Sequence, residues 1–142
     1  MKDIIVIGSL NMDLVTQTSR LPLPGETIHG MQFKMVPGGK GANQAAAAAL
    51  LGGNVYMAGS VGGDSFGTQL TQNLSSKGVN TEYVLTVPET STGIASILVD
   101  EHGENSIVVV AGANFEVKKE DIDAVKPLIA RCGFMMLQYE IP

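Results

Sequence analysis

The chain has one cysteine, Cys132, no cluster of lysines and arginines, and no apolar run long enough to cross a bilayer. Each absence removes a class of function. One thiol cannot close an internal disulfide, which sets aside the stapled scaffolds of small secreted proteins. Nine Lys and Arg are scattered among 14 Asp and Glu, for a net charge of −5, so there is no basic stripe for nucleic acid or an anionic membrane. A spanning helix needs about 18 consecutive apolar residues, and none occurs. A strand starts almost at once after Met1, without the charged region, long apolar region and cleavage site of a secretory signal, so the expected location is the cytoplasm. His29 and His102 are far apart, each in a segment that reads as solvated, and no metal-ligand cluster is expected. No set of nucleophile, base and orienting group stands out either.

What is present suits one modest domain with a real core: 142 residues, 44% of them hydrophobic and 16% charged. The strongest local signal is Val36-Pro37-Gly38-Gly39-Lys40-Gly41-Ala42-Asn43-Gln44, which runs into Ala45 to Ala49 and Leu50-Leu51. A glycine-rich loop there feeds an Ala/Leu helix. Unpaired N–H groups and the positive end of the macrodipole at such a helix start favour oxygen acceptors and anions. Three glycines in four positions are read as letting the backbone approach a ligand. Lys40 and Asn43 share one face if the helix has begun by Lys40. Two phosphate motifs fail here. A P-loop needs Ser or Thr after Gly-Lys, where this chain has Gly41, and a dinucleotide fingerprint would need glycine at Gln44 and a strand directly before the loop. A tight turn before a core helix is the competing reading.

In chain order, Ile4-Ile5-Val6-Ile7-Gly8 reads as a strand buried on both faces of a parallel sheet. Asn11 and Asp13 follow where ligand sites of open α/β sheets cluster, and on the residues alone they also suit a polar Asx turn. From Leu14 to Val36 the pattern breaks into short extended pieces, with Gly25–Gly30 and Phe33–Val36 expected as small antiparallel strands. Gly52-Gly53 should cap the Ala-rich helix, and Val55–Val61 is the next core strand. Asp64 reads as the N-cap of a helix running to about Lys77-Gly78, and Tyr83–Val87 as a strand. Thr92–Asp100 and Asn105–Val110 form the clearest hairpin, with Ala95 and Ile97 on one face of its first strand. Asn114 alone would be a turn or cap. Lys118–Arg131 is an amphipathic helix, Phe134–Glu140 a last apolar strand, and Cys132 a small buried hydrophobe.

Gly38-Gly39-Lys40-Gly41-Ala42-Asn43-Gln44-Ala45, with Gly52 and Gly62 after it, resembles the N-terminal signature of the ribokinase-type, or phosphofructokinase-B, sugar kinases. Gly112-Ala113-Asn114 also fits that family. The resemblance implies an α/β layered sandwich with a mostly parallel, Rossmann-like sheet and a small β lid at about 13–37 and 92–110. It implies that Asn11, Asp13, Gly39, Lys40, Asn43 and Glu140 contact a sugar, and that Ala95 and Ile97 cover it. It further implies transfer of the ATP γ-phosphate to a primary hydroxyl of D-ribose, with Mg²⁺, activation by a monovalent cation such as K⁺, and a homodimer clasped through the lid. The family's Gly-Ala-Gly-Asp segment, with its catalytic Asp and anion hole, is missing. The chain is therefore expected to be an N-terminal portion, inactive alone, whose nucleotide and cation sites lie elsewhere. A family member acting on deoxyribose, fructose or adenosine and a non-catalytic sugar-binding protein are the alternatives. Lys40-Gly41-Ala42-Asn43-Gln44 favours ribose.

Overall fold

Ile4–Ile7 (β1) is apolar throughout because it is covered on both sides. In the computed structural model, which describes residues 2–142, Val6 belongs to a core shared with Ala42, Ala45 and Ala46 of the helix Lys40–Leu50 (α1) and Leu70 and Leu74 of the helix Ser65–Ser76 (α2). Ile5 and Ile7 point the other way, to Val125 and Leu128 of Lys119–Arg131 (α3). The period-2 alternation of a strand thus divides one apolar run between two cores. Val55–Gly62 and Val79–Val87, with Phe134–Leu137 at the other side, complete a four-stranded parallel sheet around β1.

The second sheet is built from Asn11–Gln17 (β2), Gln32–Gly38 (β3), Gly93–Val99 and Asn105–Val110. Numbered in chain order with the first sheet, Val55–Gly62 is β4, Val79–Val87 β5, Gly93–Val99 β6, Asn105–Val110 β7 and Phe134–Leu137 β8. The first sheet runs β5-β4-β1-β8 and the second β3-β2-β6-β7. β2 pairs antiparallel with β3 and parallel with β6, and β6 pairs antiparallel with β7. The near end of this sheet is rooted in the main core by Met12, Leu14 and Ile94. Its far end stands in solvent with apolar side chains on both faces, Phe33 61% exposed and Val108 67% on one, Ile107 50% on the other. The expected α/β architecture, a parallel sheet interrupted twice by strands of a separate small sheet, is the one the chain adopts.

Five expectations need correction. Gly25–Gly30 is not a strand: Glu26 is paired with Arg20 and accepts the Leu23 N–H at 2.9 Å, which curls residues 20–26 into a loop. The partner of β3 is β2, whose mixed polar and apolar residues hid a full seven-residue strand. β3 runs through Gly38, so a strand does lead straight into the glycine loop. β5 begins at Val79, with a register shift opposite Tyr56 and Ala58, where the polar run Asn80-Thr81-Glu82 masked its start. β8 ends at Leu137, three residues before Glu140.

Asp64 caps α2 as expected, and it also ties the two sheets together. Its Oδ1 accepts the Gly67 N–H at 2.9 Å and the Thr92 hydroxyl at 2.6 Å, and its Oδ2 accepts the Thr92 N–H at 2.8 Å. Thr92, fully buried, in turn accepts the Gly62 N–H at 2.9 Å. Burial opposes the Asp64 carboxylate, but the hydrogen bonds from Thr92, Gly67 and Phe66 outweigh it and leave the carboxyl below its ordinary value. Asp64→Ala should lower unfolding stability at pH 7 by about 2–3 kcal/mol, from a lost cap and lost charge-assisted bonds. A carboxyl whose folded value is depressed stabilises above the unfolded value and stops doing so as the pH falls through the folded one. The gap between parent and variant in urea titrations should therefore narrow below the ordinary value of 3.8.

Candidate functional site

The site is assembled where the β1–β2 connection meets the glycine loop. Gly39 holds φ at 93° ahead of α1, and a Cβ there would lie 2.7 Å from the Ser9 carbonyl and 2.8 Å from the Asn11 nitrogen. A Cβ on Gly41 would come within 2.7 Å of the Ser9 nitrogen. Close backbone approach is what these glycines supply. They bring the loop against the chain's own Gly8–Asn11 segment. The effect is to set the first turn of α1 beside the start of β2.

Beyond β8 the chain turns Glu140 onto this junction. Its Oε2 accepts the Ser9 hydroxyl at 2.6 Å and the Lys40 backbone N–H at 3.4 Å, while Oε1 is ion-paired with the Lys40 ammonium. Gln138 Nε2 donates to Gln44 Oε1 at 2.6 Å and fastens the same segment to α1. Burial works against the Glu140 charge, yet the hydrogen bonds from Lys40 and Ser9 prevail and hold its carboxyl below the usual range.

Asp13 has the opposite character. It lies half-buried in β2, with Gly38 leaving room for its carboxylate, and no hydrogen bond among the described residues involves that carboxylate. Burial first, and then the negative charge of Glu140, pushes it above its ordinary value. Asn11, 8% exposed, shares its face of the strand. On the neighbouring β6, Gly93 is in register with Asn11, Ala95 with Asp13 and Ile97 with Val15, so Ala95 and Ile97 continue that face. A cleft of about 540 Å³ opens beside these groups, lined by Ser9, Asn11, Ala111, Asn114, Phe115, Tyr139 and Glu140.

Of the expected residues, the structure brings Asn11, Asp13, Gly39, Lys40 and Glu140 together, with Ala95 beside Asp13 and Ile97 further out. Asn43 stands one turn along α1 from Lys40, exposed, and borders a separate crevice with Pro37, Leu70, Asn73 and Lys77. Two participants were not anticipated. Ser9, 1% exposed, had read only as the end of a strand, and Asn114, equally buried, as a turn. A polar residue directly after an apolar strand was the available signal for Ser9.

The residues present do not suit a phosphate or a metal ion. The anion position at the start of α1 is filled by the chain's own Glu140, and among the described residues no three His, Cys, Asp or Glu side chains gather as a metal site. Among the described residues no helix is long and apolar enough to cross a membrane.

Comparison with known proteins accords with this geometry. A ribokinase of Bacillus subtilis (strain 168) is 46% identical over 142 residues, all of this chain and 48% of the relative. A deoxyribokinase of Salmonella typhi is 46% identical over 139 residues, 98% of this chain and 45% of the relative. The structure of Arabidopsis thaliana ribokinase complexed with ribose and ATP matches with a TM-score of 0.87 at 35% identity, over 99% of this chain and 46% of that one. The chain thus spans about half the length of the curated relatives it matches. Residues 1–136 match the description "pfkB family carbohydrate kinase", and on that match the chain belongs to the pfkB family of carbohydrate kinases.

Proposed function

We propose that the chain is the sugar-binding half of an ATP-dependent kinase that phosphorylates a primary hydroxyl of D-ribose. The observation that carries the reading is the Asp13 carboxylate, half-buried two residues along the strand from Asn11 of the cleft and without a hydrogen bond among the described residues. Such a group lacks only a hydroxyl-rich partner, because a carboxylate accepts several hydrogen bonds and donates none. Asn11 beside it, with Lys40, Glu140, Gly39 and Asn43 around the start of α1, would fix the remaining hydroxyls, while Ala95 and Ile97 would cover the ring. The second sheet would act as a lid that excludes water and holds the attacking hydroxyl in place. The relative solved with ribose and ATP supports that pair of small molecules.

ATP would supply the phosphoryl group. The sites of ATP, Mg²⁺ and a monovalent cation such as K⁺ are assigned to the part of the relatives' length that this chain does not span. Ser9, Asn11 and Glu140 along the cleft offer several hydroxyl partners, which favours a free pentose, and Phe115 and Tyr139 are the flat surfaces on which a nucleoside base would have to lie. Deoxyribose is the second reading, because the deoxyribokinase relative is as similar as the ribokinase. Location in the cytoplasm, where thiols stay reduced, is the reading that fits the free Cys132. Partnership with nucleic acid or a membrane surface is not part of the reading, given the net charge of −5.

Three outcomes follow. In the complete polypeptide, Asp13→Ala should cost about 1.5–3 kcal/mol of transition-state binding, roughly 10- to 100-fold in kcat/KM for ribose. Ribose affinity of the parent, followed by calorimetry, should decline as the pH falls, with the decline setting in above the ordinary aspartate value of 3.8. It follows the loss of the ionised acceptor, whose value is raised, and Asp13→Asn should bind weakly without that decline. A preference for adenosine over ribose would overturn the substrate assignment.

The 142 residues alone, given ribose, ATP and Mg²⁺, should show no enzyme-like turnover. General-base catalysis contributes roughly 10²- to 10⁴-fold. Asp64 is committed to its cap and Glu140 to Ser9 and Lys40. Turnover by the chain alone would make Asp13 the base.

The exposed Phe33, Met35 and Val108 on one lid face, and Val36, Ile107 and Val109 on the other, exceed what covering one sugar requires. A homodimer clasped through the lid is therefore part of the proposal. Light scattering on the complete polypeptide should give a dimer at micromolar concentration and a monomer for Val108→Asp. A monomeric parent would remove the clasp.

A further inference from the structure

We propose that Asn114 is a positioning residue that sets the hydrogen-bonding sense of Asn11 and makes it a donor to the sugar; the assignment rests on the sugar-kinase reading above. Asn114 lies in a 3-10 helix, Gly112–Glu116, that begins two residues after β7 leaves the lid. It is 1% exposed, and its carboxamide is fully engaged. Oδ1 accepts the Leu10 N–H at 2.9 Å, and Nδ2 donates to the Leu10 carbonyl at 3.1 Å and to Asn11 Oδ1 at 2.7 Å.

The orientation of this group is not free. Leu10 presents a backbone N–H and a backbone carbonyl, neither of which can exchange roles. Rotating the Asn114 amide by half a turn would set oxygen against the Leu10 carbonyl and against Asn11 Oδ1, and nitrogen against the Leu10 N–H. Three hydrogen bonds would become three like-to-like contacts in a buried place, where unmet polar groups are costly. The orientation therefore passes from the backbone of Leu10 to Asn114, and from Asn114 to Asn11. Asn11 must offer Oδ1 inward, which leaves Nδ2 as the end free for the cleft. Gly93, in register with Asn11 on β6, makes the pairing possible, since a side chain there would run into Asn11 Oδ1 and Asn114 Nδ2.

The consequence for recognition lies in what the neighbours cannot do. Asp13 and Glu140 are acceptors, and the Lys40 ammonium is ion-paired with Glu140. A hydroxyl that donates to Asp13 has lone pairs to satisfy, and an adjacent hydroxyl needs a donor of its own. Asn11 Nδ2, two residues along the same strand face, is that donor. The pairing of one acceptor and one donor at strand spacing is complementary to two neighbouring hydroxyls of a sugar.

The test is a double-substitution cycle on the complete polypeptide with D-ribose and ATP. Asn114→Ser should raise KM for ribose about tenfold or more, with KM for ATP unchanged, because it releases Asn11 to turn either way. Introduced into an Asn11→Ala background, the same substitution should change KM for ribose by less than about twofold while lowering the melting temperature as much as in the parent. Equal kinetic effects in both backgrounds would make Asn114 a support of the fold only, and would overturn the proposal. Should Asn114→Ser fail to fold, Asn11→Asp carries the test. It keeps an oxygen for Asn114 Nδ2, exchanges the outward donor for an acceptor and adds a charge on the strand face of Asp13, so KM for ribose should rise about tenfold or more with KM for ATP unchanged. An unaltered KM would overturn the assignment. If the parent turns over neither ribose nor deoxyribose, the sugar-kinase reading itself falls, and this assignment with it.

Discussion

Everything in this molecule depends on how closely two stretches of backbone approach each other. Gly39 and Gly41 lie so near Ser9, Leu10 and Asn11 that a single methyl group on either would drive them apart. That contact sets the first turn of α1 beside the first residues of β2. The Lys40 ammonium, the Ser9 hydroxyl, the Asn11 amide and the Asp13 carboxylate come from two segments some thirty residues apart, and they share a neighbourhood only because no side chain intervenes. Glu140 then closes the arrangement from a third direction, with an ion pair and a hydrogen bond that link the end of the described chain to its beginning. A tight, water-poor backbone junction is a rigid base, and a site built on one keeps its groups where they are needed.

The parts of the fold that could be read directly are those whose stability is local or whose burial is two-sided. Ile4–Ile7 announces itself because both of its faces meet helices, and the run Ala45 to Leu50 because alanine and leucine favour helix wherever they stand. The hairpin of β6 and β7 is visible from its alternation and its Asp100–Glu104 turn, closed by an Asp100 N–H bond to the Glu104 carbonyl. β2 was not visible as a strand. Asn11 and Asp13 have little intrinsic preference for extended structure, and the strand exists because β3 and β6 flank it on both edges. Gly25–Gly30 erred in the other direction, since its pattern suited a strand but the Arg20–Glu26 ion pair and the Leu23 N–H bond to Glu26 hold the start of the segment in a loop.

The site divides in the same way. The glycine loop and its lysine are contiguous and could be picked out as a motif, and the resemblance carried Asp13 and Glu140 with it. What neither spacing nor composition could convey is commitment, that is, which polar groups are already satisfied by the protein and which are free. Ser9 meets Glu140 across 131 positions and Leu10 meets Asn114 across 104. Separations of that size leave no trace in a local pattern. Hence Asp13 and Glu140, two similar carboxylates, could only be told apart in three dimensions: one is shifted up by burial and left unpartnered, the other is shifted down by its donors.

The occupied start of α1 has a consequence for how the molecule meets its surroundings. A helix end of this kind normally attracts whatever small anions the solution contains, and its occupancy then varies with buffer and salt. Here a covalently attached carboxylate fills that position at an effective concentration no free ion reaches. Sulfate or phosphate would have to evict Glu140 from Lys40 and Ser9 before settling, whereas an uncharged polyol can approach without disturbing the pair. Capture of such a neutral guest releases no counterions and gains nothing from long-range attraction. Its strength should therefore be nearly indifferent to ionic strength, a property that sets this half of the molecule apart from any region that must hold a multiply charged partner.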